Sequence, residues 1–275
     1  MLNKVAVIKN IDIKKAVRQA VEQVGFPKVK GKRVLVKPNC NSPDEYPGTT
    51  NPQVVAEVVR LCEEGGAKEI IVGDKSSVFW PHCSTKKVMK VIGLLEALKN
   101  TKAKILPFDK NEWVKVKPDN EVNNETSGIE AKAKTHWPRG FKIPKALVEA
   151  EVIISVPVIH THSITGISLS LKNSVGILDG KSRVLMHASR HIQEKVAEIN
   201  LTYEVDLVIL DGTKAFIDGG PNRGEEVRPN TIVASRSRVQ ADIAAYKLLV
   251  EWGAELPEPA ESHPQIKHAI KVGVK

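Results

Sequence analysis

The sequence predicts an α/β protein with a mostly parallel sheet and helices on both faces. Short apolar runs typical of buried strands alternate with longer segments that carry apolar residues at helical spacing. This β-α-β-α-β order implies a parallel sheet covered by its crossover helices. The alternation breaks between Pro107 and Pro144 and then resumes. We therefore expect a single α/β domain over residues 1–275, with a subdomain or an insertion at 107–144.

The predicted strands are short apolar runs that end at turn residues. They span residues 4–8, 33–37, 69–72, 104–106, 152–156, 205–210 and 231–234. The predicted helices span residues 11–24, 52–64, 85–99, 168–176, 187–201 and 239–251. The second helix has the clearest ends, because Asn51 caps it, Pro52 suits its first turn and Gly65 follows its last residue. In the midchain excursion, the pattern predicts a β-ribbon at 113–117 and a loop at 118–128.

Charge and composition restrict the class of ligand. The chain has 41 Lys and Arg against 32 Asp and Glu, a formal charge of +9, and its basic residues are spread through the sequence. Only 4% of the residues are aromatic, so platforms for stacking nucleotide bases are scarce. These features argue against a nucleic-acid partner and favour a solvated basic surface or an anionic small molecule. The abundant Lys and Glu and the few Met are also compatible with a thermophilic source.

The cysteines and the apolar runs restrict the metal chemistry and the compartment. Cys40, Cys62 and Cys83 occur singly, so one chain cannot assemble a disulfide framework or a four-thiolate iron–sulfur or zinc site. Any metal must therefore rely on His and carboxylate ligands, with at most one thiolate. The apolar runs are too short to span a bilayer, and residues 1–10 lack the layout of a signal peptide. We expect a cytoplasmic protein without a membrane partner.

Several of the predicted strands run into polar segments. These segments are residues 37–41, 73–77, 160–162, 211–212 and 218–221. In an open parallel sheet, ligands bind beyond the carboxyl ends of the strands, beside helix N-termini that attract anions. All of these segments should therefore lie at one edge of the sheet, where we expect a ligand site.

His160 and His162 are the candidate metal ligands. They lie two residues apart, so in an extended segment both side chains face one side, a common arrangement for two ligands of one metal. The alternative is that one imidazole is hydrogen-bonded and the other is exposed. His187 and His191 lie four residues apart on a predicted helix. They either share a metal or have a solvated or capping role.

Two lysines are candidates for anion binding. Lys172 precedes Asn173 after a segment rich in Ser and Thr that includes Thr165, and an ammonium beside an amide can hold a phosphate or a carboxylate. The alternative for Lys172 is a surface position. Lys37 ends a buried strand and must reach a partner, which Asn39 or the next strand can supply. For Lys37 the alternative is a structural ion pair.

Carboxylates and two loops complete the set of candidates. Asp74 and Asp211 end two strands, which suits metal coordination or general-base work, although aspartates also cap turns. The glycine-rich segment 219–224 can surround an anion but matches no phosphate-loop pattern, so we interpret it as a plain loop. His82 and Cys83 are a candidate metal or redox pair. The alternative is that the Cys83 thiol is inert.

Taken in chain order, the motifs resemble a known family. They are Lys37-Pro38-Asn39, Thr49-Thr50-Asn51-Pro52, Gly73-Asp74, Thr161-His162 with Thr165, Lys172-Asn173, Asp211-Gly212, Gly220-Pro221 and Asp242. This set resembles the family catalogued as domain of unknown function 362, over about residues 34–249, which implies an α/β fold. The resemblance carries the family pattern to Lys37, Asn39, Asp74, His162, Lys172, Asn173, Asp211 and Asp242. At His160, relatives tend to have lysine, and the change either turns a cationic anion site into a metal-capable one or has no effect.

The resemblance also bears on partners. Members of the family are often fused to ferredoxin-like modules with cysteine clusters, which this chain lacks, so a separate iron–sulfur protein is a candidate partner. A fainter likeness, at the level of the fold alone, is to the nickel-pincer lactate racemases. A homo-oligomer stays open, because Trp252 and residues 256–264 either pack onto a second copy or cover the chain's own sheet.

The leading hypothesis is an enzyme that binds an anionic substrate or cofactor, with a divalent metal, at the carboxyl ends of the strands. His162 would bind the metal with His160, or act as an acid or base together with Asp74, while Asp211 orients a ligand or a histidine. The residues that would hold the anion or cofactor are Lys37, Asn39, Thr165, Lys172 and Asn173. The alternative is a non-catalytic accessory protein or an electron-transfer partner of a separate iron–sulfur protein.

Overall fold

Strands and helices alternate along the chain. The structure, a computed structural model, describes residues 4–78, 83–118, 135–257 and 259–275. The strands are β1 (Val5–Lys9), β2 (Arg33–Pro38), β3 (Glu69–Asp74), β4 (Lys104–Pro107), β5 (Trp113–Val116), β6 (Phe141–Pro144), β7 (Val152–Val156), β8 (His160–His162), β9 (Gly166–Ser168), β10 (Leu207–Gly212), β11 (Ala215–Phe216), β12 (Glu226–Val227) and β13 (Thr231–Ser235). The helices are α1 (Ile13–Val24), α2 (Pro52–Glu64), α3 (Thr85–Val91), α4 (Leu94–Leu98), α5 (Lys145–Glu149), α6 (Ser170–Asn173), α7 (Gly180–His187), α8 (Ile192–Ile199), α9 (Arg238–Glu251) and α10 (Pro264–Lys271).

A mostly parallel sheet forms the centre of the protein. Within the described residues, seven strands pair in the order β1-β13-β10-β7-β2-β3-β4. The strands β10, β7, β2, β3 and β4 run parallel to one another, whereas β13 lies antiparallel between β1 and β10. The fold class predicted from the sequence is therefore confirmed.

Each face of the sheet packs against its own helices, as β2 illustrates. Val34 and Val36 lie in a buried cluster with apolar residues of α1, α2 and α3. Leu35, between them, belongs to a second cluster with Met186 of α7 and Val196 of α8. Because successive side chains of a strand point to opposite faces, the two clusters cover the two sides of the sheet.

Local capping sets the ends of α2. Asn51 accepts a hydrogen bond from Gln53 N through its side chain, Pro52 is the first helical residue, and Gly65 follows the last one. These residues act within one turn of the helix end, which explains why the predicted bounds of α2 agree with the structure.

Two predicted helices are each divided in the structure. The predicted helix at 85–99 is α3 followed by α4, because Gly93 between them adopts a left-handed φ of 79°. The predicted helix at 187–201 starts too early: α7 ends at His187, and α8 begins only at Ile192. No helix within the described ranges is both long enough and apolar enough to cross a bilayer.

The midchain excursion starts and ends as a β-ribbon. Strands β5 and β6 pair antiparallel, with Val114 opposite Ile143, so the ribbon predicted at 113–117 is confirmed. Residues 119–134 lie outside the described part of the chain, as does most of the loop predicted there. Trp137 and Ile143 pack in the same buried cluster as the sheet residue Leu35. The ends of the excursion are thus attached to the sheet.

The C-terminal region packs on the chain itself. Trp252 and Leu256 contact the buried cluster formed by β10, β13, α9 and α10. Of the two arrangements considered for this region, the structure therefore shows the one in which it covers the chain's own core. A homo-oligomer stays a prediction.

The strand order creates a crevice between the carboxyl ends of β2 and β7. From β2 the chain adds β3 and β4 on one side, and it then returns to place β7 and β10 on the other side. Connections that leave β2 and β7 therefore run in opposite directions, and a ligand crevice typically opens where they part. Lys37 on β2 is paired with Ser155 on β7 at this point.

A core substitution tests the central position of β7. Ile154 is fully buried in the cluster beneath α2, so Ile154→Ala should lower the free energy of unfolding by about 2 to 5 kcal/mol. Ile11 is 84% exposed, and Ile11→Ala should change it by less than about 0.5 kcal/mol. Urea denaturation measures both. Equal losses in the two variants would contradict the placement of β7.

Candidate functional site

A cavity of about 240 Å³ lies beyond the carboxyl ends of β2, β3 and β7. Its lining comes from the segments after β2 and β3, the β8–β9 hairpin, α6, α7 and the loop before β12. The lining residues are Asn39, Asn41, Asp74, Lys75, Ser77, His162, Ser163, Ile164, Ser168, Lys172, Asn173, Val175, Gly176, Arg183, His187, Pro221 and Asn222. The cavity is thus at the sheet edge where the sequence predicts a ligand site.

A buried ion pair lies at the base of the cavity. Lys37 Nζ lies 2.7 Å from Asp74 Oδ1, and both side chains are at most 2% exposed. The lysine also donates to Asn173 Oδ1 at 3.1 Å, while Asp74 Oδ2 accepts a hydrogen bond from Cys40 N at 2.6 Å. The structure therefore shows the ion-pair alternative for Lys37. Both charges are paired and hydrogen-bonded, as buried charges must be.

Asn173 ties α6 to the crevice. Its side-chain Nδ2 donates to the carbonyl of Lys37 at 3.2 Å and to Ser155 Oγ at 2.9 Å. Together with the hydrogen bond that Asn173 accepts from Lys37, these contacts hold α6 against the ends of β2 and β7. The preceding residue, Lys172, is fixed near the cavity as a result.

Asp242 holds the other end of α6. Its two carboxylate oxygens accept hydrogen bonds from Ser170 N at 2.7 Å and from Leu171 N at 3.0 Å. These donors are first-turn N–H groups that have no partner within the helix. Asp242 is completely buried on α9, and burial raises its pKa to about 7. A helix of four residues is thereby fixed by a side chain that is distant in sequence.

Lys172 carries the charge that is least compensated in the cavity. The residue is only 9% exposed, and among the described residues its ammonium group has no salt bridge and no hydrogen bond. Burial, and then the positive charge of Arg183, lower the pKa of Lys172 well below its ordinary value. Within the described part of the chain, no acidic group offsets these effects.

Arg183 adds a second fixed cation. It donates through Nη1 to the carbonyls of Lys75 and Ser76 and through Nη2 to Asn41 Oδ1, contacts that use neutral acceptors only. Burial lowers the pKa of Arg183 to about 10, so it stays protonated at neutral pH. Burial and the charge of Arg183 also lower the pKa of Lys75. Since Asp74 is already paired, the cavity has an excess of positive charge.

His162 presents one defined ring nitrogen to this charged site. Its Nδ1 accepts hydrogen bonds from Ile164 N at 3.1 Å and Thr165 N at 3.4 Å, so that nitrogen carries no proton. Burial, followed by the charge of Lys172, lowers the pKa of His162 to about 2. The imidazole is therefore neutral, and its proton lies on Nε2.

His160 is completely buried beside the same hairpin. Its Nδ1 lies 2.6 Å from the carbonyl oxygen of Thr161, which requires a proton on Nδ1. Within the described part of the chain, Nε2 of His160 is buried without a hydrogen-bond partner. Burial lowers the pKa of His160 to about 4. Each of the two imidazoles thus keeps Nε2 for a further contact, and their metal-binding role stays a prediction.

Three other predicted residues have mainly structural contacts. Asp211 accepts hydrogen bonds from Asn51 N at 2.7 Å and from Thr213, and it does not line the cavity. Thr165 donates through Oγ1 to the carbonyl of Ile167 and orients His162 through its own N–H. Asn39 lines the cavity, with Oδ1 accepting from Asn41 N. Their catalytic or binding roles stay predictions.

Arg183 on α7 lines the cavity but was not found from the sequence, because the periodicity did not reveal the start of that helix. His187 was considered only as a partner of His191, and Pro221 lies in a segment that was expected at this edge of the sheet. His187 and His191 do not share one helix, and only His187 lines the cavity. The predicted pair of His82 and Cys83 cannot be placed, because His82 lies outside the described residues. For Arg183 the local sequence carries no signal.

The chain also matches a known protein family. The family model described as "Domain of unknown function (DUF362)" matches residues 34–247. This chain belongs to the DUF362 family. Among curated proteins, the DUF362 chain is similar to a thylakoid-associated protein of Synechocystis, with 26% identity over 238 residues, which are 84% of this chain and 67% of the relative.

One of the similar solved structures shows the same α/β fold. The apoprotein of lactate racemase from Thermoanaerobacterium thermosaccharolyticum matches with a TM-score of 0.51 and 13% identity, over 90% of the DUF362 chain and 56% of the racemase. The chain thus spans little more than half of that protein, and the likeness shows the α/β fold alone. A protein from Thermotoga maritima matches with a TM-score of 0.44 and 16% identity, over 90% of the DUF362 chain and 61% of that protein.

A glycine substitution tests the ion pair at the base of the cavity. A Cβ on Gly176 would lie 2.0 Å from Asp74 Oδ1 and 2.8 Å from Lys37 Nζ, so Gly176→Ala must separate the pair. We expect a loss of about 3 to 5 kcal/mol in the free energy of unfolding, measured by urea denaturation. In the control Gly180→Ala, the added Cβ makes only an ordinary contact of 3.5 Å with Val78. Wild-type stability of Gly176→Ala would refute the arrangement.

The buried carboxyl of Asp242 predicts a pH dependence of stability. Because burial raises its pKa in the folded chain from 3.8 to about 7, the folded chain holds a proton that the unfolded chain releases between those values. The stabilisation from Asp242 is complete below a pH of about 4 and is lost as the pH rises through about 7. The stability of wild type relative to Asp242→Asn should therefore fall over this window. Urea denaturation at several pH values tests this, and a constant difference would disprove it.

Proposed function

We propose that this DUF362 chain binds an anionic small molecule, through its carboxylate or phosphate group, in the cavity beyond β2 and β7. The observation that carries the proposal is the buried ammonium of Lys172, which has no acidic partner among the described residues. Burying a charge without a partner is costly, so such a site is typical of a ligand of opposite charge. The proposal rests on Lys172 and on Arg183, whose hydrogen bonds all go to neutral acceptors.

The cavity is suited to one anionic group held by several donors. Lys172 contributes an ammonium, and His162 contributes the N–H on Nε2, which is the ring nitrogen that its backbone contacts leave available. Arg183 and Lys75 supply positive charge from the wall. A carboxylate or a phosphate accepts several charge-assisted hydrogen bonds at once, which matches this donor set.

We propose further that the site is catalytic and that His162 is the residue that contacts the reacting part of the ligand. In its neutral form, with the proton on Nε2, His162 polarises a substrate oxygen by donating a hydrogen bond to it and keeps its own proton. Asp74 is engaged by Lys37 and Cys40 N, so its contribution is to hold the site rather than to act as a base. The accessory alternative differs in having ligand binding without turnover.

A divalent metal at His160 and His162 remains part of the proposal. Nε2 of His160 carries no proton and is buried without a hydrogen-bond partner in the described residues, so it can bind a metal directly. Nε2 of His162 carries the ring proton, so a metal there would have to displace that proton, as metal binding to a protonated ligand atom requires. An iron–sulfur partner, a homo-oligomer and a cytoplasmic location stay predictions from the sequence.

The choice of probe follows from the cavity and from the solved relative. Inorganic phosphate represents the phosphate group. Lactate represents a small carboxylate, and it is the substrate named for the racemase whose fold is similar. Lactate also stays ionised across the neutral range, so any pH dependence of its binding reports the protein.

Anion binding should depend on Lys172. Lys172→Met removes the charge but keeps the length of the side chain, and it should weaken the binding of phosphate or lactate at least about tenfold by isothermal titration calorimetry. Lys247 lies on the exposed side of α9, and Lys247→Met is the matched control for the loss of one positive charge. Equal binding in wild type and Lys172→Met would overturn the proposal, as would the absence of binding to both anions at millimolar concentration.

Binding should also take up protons. An anion beside Lys172 stabilises its protonated form and raises the pKa that burial and Arg183 lower, so lactate affinity should fall as the pH rises. Calorimetry in two buffers of different ionisation enthalpy measures the protons taken up. Wild type should show proton uptake and Lys172→Met should not. Proton release on binding would contradict this assignment.

A further inference from the structure

A second group of metal-ligating side chains lies away from the cavity. His136 lies within the midchain excursion, just before β6, while Glu198 is on α8 and His268 is on α10. None of the three lines the cavity beyond β2 and β7. They come from three segments that are distant in sequence, so their meeting is a product of the tertiary fold. We call them the His-Glu-His cluster.

The ligand atoms of the cluster converge on one point. Glu198 Oε1 lies 2.6 Å from His136 Nδ1 and 3.1 Å from His268 Nε2. All three atoms lie within 4.8 Å of one another. In a tetrahedral zinc site with bonds of roughly 2.1 Å, neighbouring ligand atoms are about 3.4 Å apart. The two separations from Glu198 Oε1 are shorter than this, so the carboxylate and the imidazoles would have to move apart by several tenths of an ångström to admit the ion.

The second oxygen of the carboxylate is held by its own donors. Glu198 Oε2 accepts hydrogen bonds from Thr135 Oγ1 at 2.7 Å and from His136 N at 2.8 Å. These contacts orient the carboxylate so that Oε1 faces the imidazoles, as the outer hydrogen bonds of metal ligands do. Burial by itself raises the pKa of Glu198, but the hydrogen bonds from His268, His136 and Thr135 outweigh it and hold the pKa at about 2.

An ion can reach the cluster from solvent. Glu198 is fully buried, but the side chains of His136 and His268 are 27% and 14% exposed. His191, at the start of α8, lies over His136 with ring centroids 4.8 Å apart, and its Nδ1 is 3.6 Å from Glu194. His136, His191 and Glu194 also meet the spacing of a metal-binding group. A further nitrogen or oxygen ligand is therefore available on the open side.

We propose that His136, Glu198 and His268 bind a divalent transition metal of the zinc type, which fastens α10 and the end of the midchain excursion to α8. Two imidazoles and one carboxylate are the donor set that zinc, cobalt and nickel share, whereas magnesium and calcium require oxygen ligands. The site is independent of the proposed anion cavity. Its role is structural, because the three ligands join elements that are distant in sequence.

The competing interpretation is a hydrogen-bonded cluster without metal. In that case each imidazole donates one N–H to Glu198 Oε1, and the arrangement needs no ion. The two interpretations differ in stoichiometric binding and in the response of stability to metal. A metal that binds only the folded chain raises its stability, whereas a hydrogen-bonded cluster gives no such response.

The test uses the whole chain after treatment with a chelator. Wild type is titrated with Zn²⁺ by calorimetry and heated with and without Zn²⁺, and Co²⁺ is added as a spectroscopic probe of the ligand geometry. We expect one tight Zn²⁺ at the His-Glu-His cluster, beside the ion proposed for His160 and His162, with a higher melting temperature in Zn²⁺ and the visible absorption of low-symmetry Co²⁺. His268→Ala should weaken Zn²⁺ binding by about 100-fold or more.

Two conservative variants distinguish the loss of a metal ligand from misfolding of His268→Ala. Glu198→Gln keeps the shape of the side chain and should also lose the Zn²⁺-dependent stabilisation. Thr135→Val removes only the outer hydrogen bond, and it should weaken Zn²⁺ binding about 10- to 100-fold with an otherwise folded chain. Unchanged Zn²⁺ binding in all three variants would overturn the proposal, and so would wild type that binds no Zn²⁺.

His162→Ala separates this site from the cavity. It should keep the tight Zn²⁺ and the thermal response, because His162 lies on the β8–β9 hairpin outside the His-Glu-His cluster. Loss of the tight Zn²⁺ in His162→Ala but not in His268→Ala would assign the metal to the hairpin instead and overturn the proposal. Conversely, Lys172→Met should abolish anion binding while Zn²⁺ binding persists, so the failure of one site is not the failure of the other.

Discussion

The buried ion pair of Lys37 and Asp74 is the interaction on which the cavity depends. It joins the carboxyl ends of β2 and β3, and Asn173 extends it to β7 through Ser155. Because the two charges neutralise each other and have further hydrogen bonds, they can remain out of water. Because the pair has no net charge, the cations Lys172 and Arg183 give the cavity its positive charge. In the proposed function, the pair at the base therefore contributes to the preference of the site for anions.

The sequence correctly predicted the ends of those helices that are capped by residues adjacent in sequence. The bounds of α2 agree because its cap and its proline act locally. The helix predicted at 168–176 is instead the short α6 followed by a 3₁₀ turn, and α6 needs Asp242 from another helix to satisfy its N–H groups. Helix α10 was not predicted at all, since its apolar face is buried only through contacts with α8 and α9. Tertiary contacts, rather than local preference, explain these differences.

The candidate site could be predicted only in part, because the sequence reveals strand ends but not contacts between distant elements. The rule that ligands bind beyond parallel strands is enough to bring together Lys37, Asp74, His162 and Lys172 from their positions in the sequence. The rule says nothing of residues on crossover helices, so it missed Arg183, which in sequence resembles any surface arginine. It also cannot separate a catalytic carboxylate from one that ties loops together. Asp211, with both oxygens bonded to Asn51 and Thr213, is such a case.

The excess positive charge of the cavity also affects the stability of the folded chain and therefore its rate of degradation. In the folded chain, burial and the charge of Arg183 disfavour the charged form of Lys172, a cost that is absent in the unfolded chain, so this cost favours unfolding. An anion that enters removes this penalty for the folded chain alone. The filled protein would then open less often to proteases, and its abundance in the cell would rise and fall with the supply of its ligand.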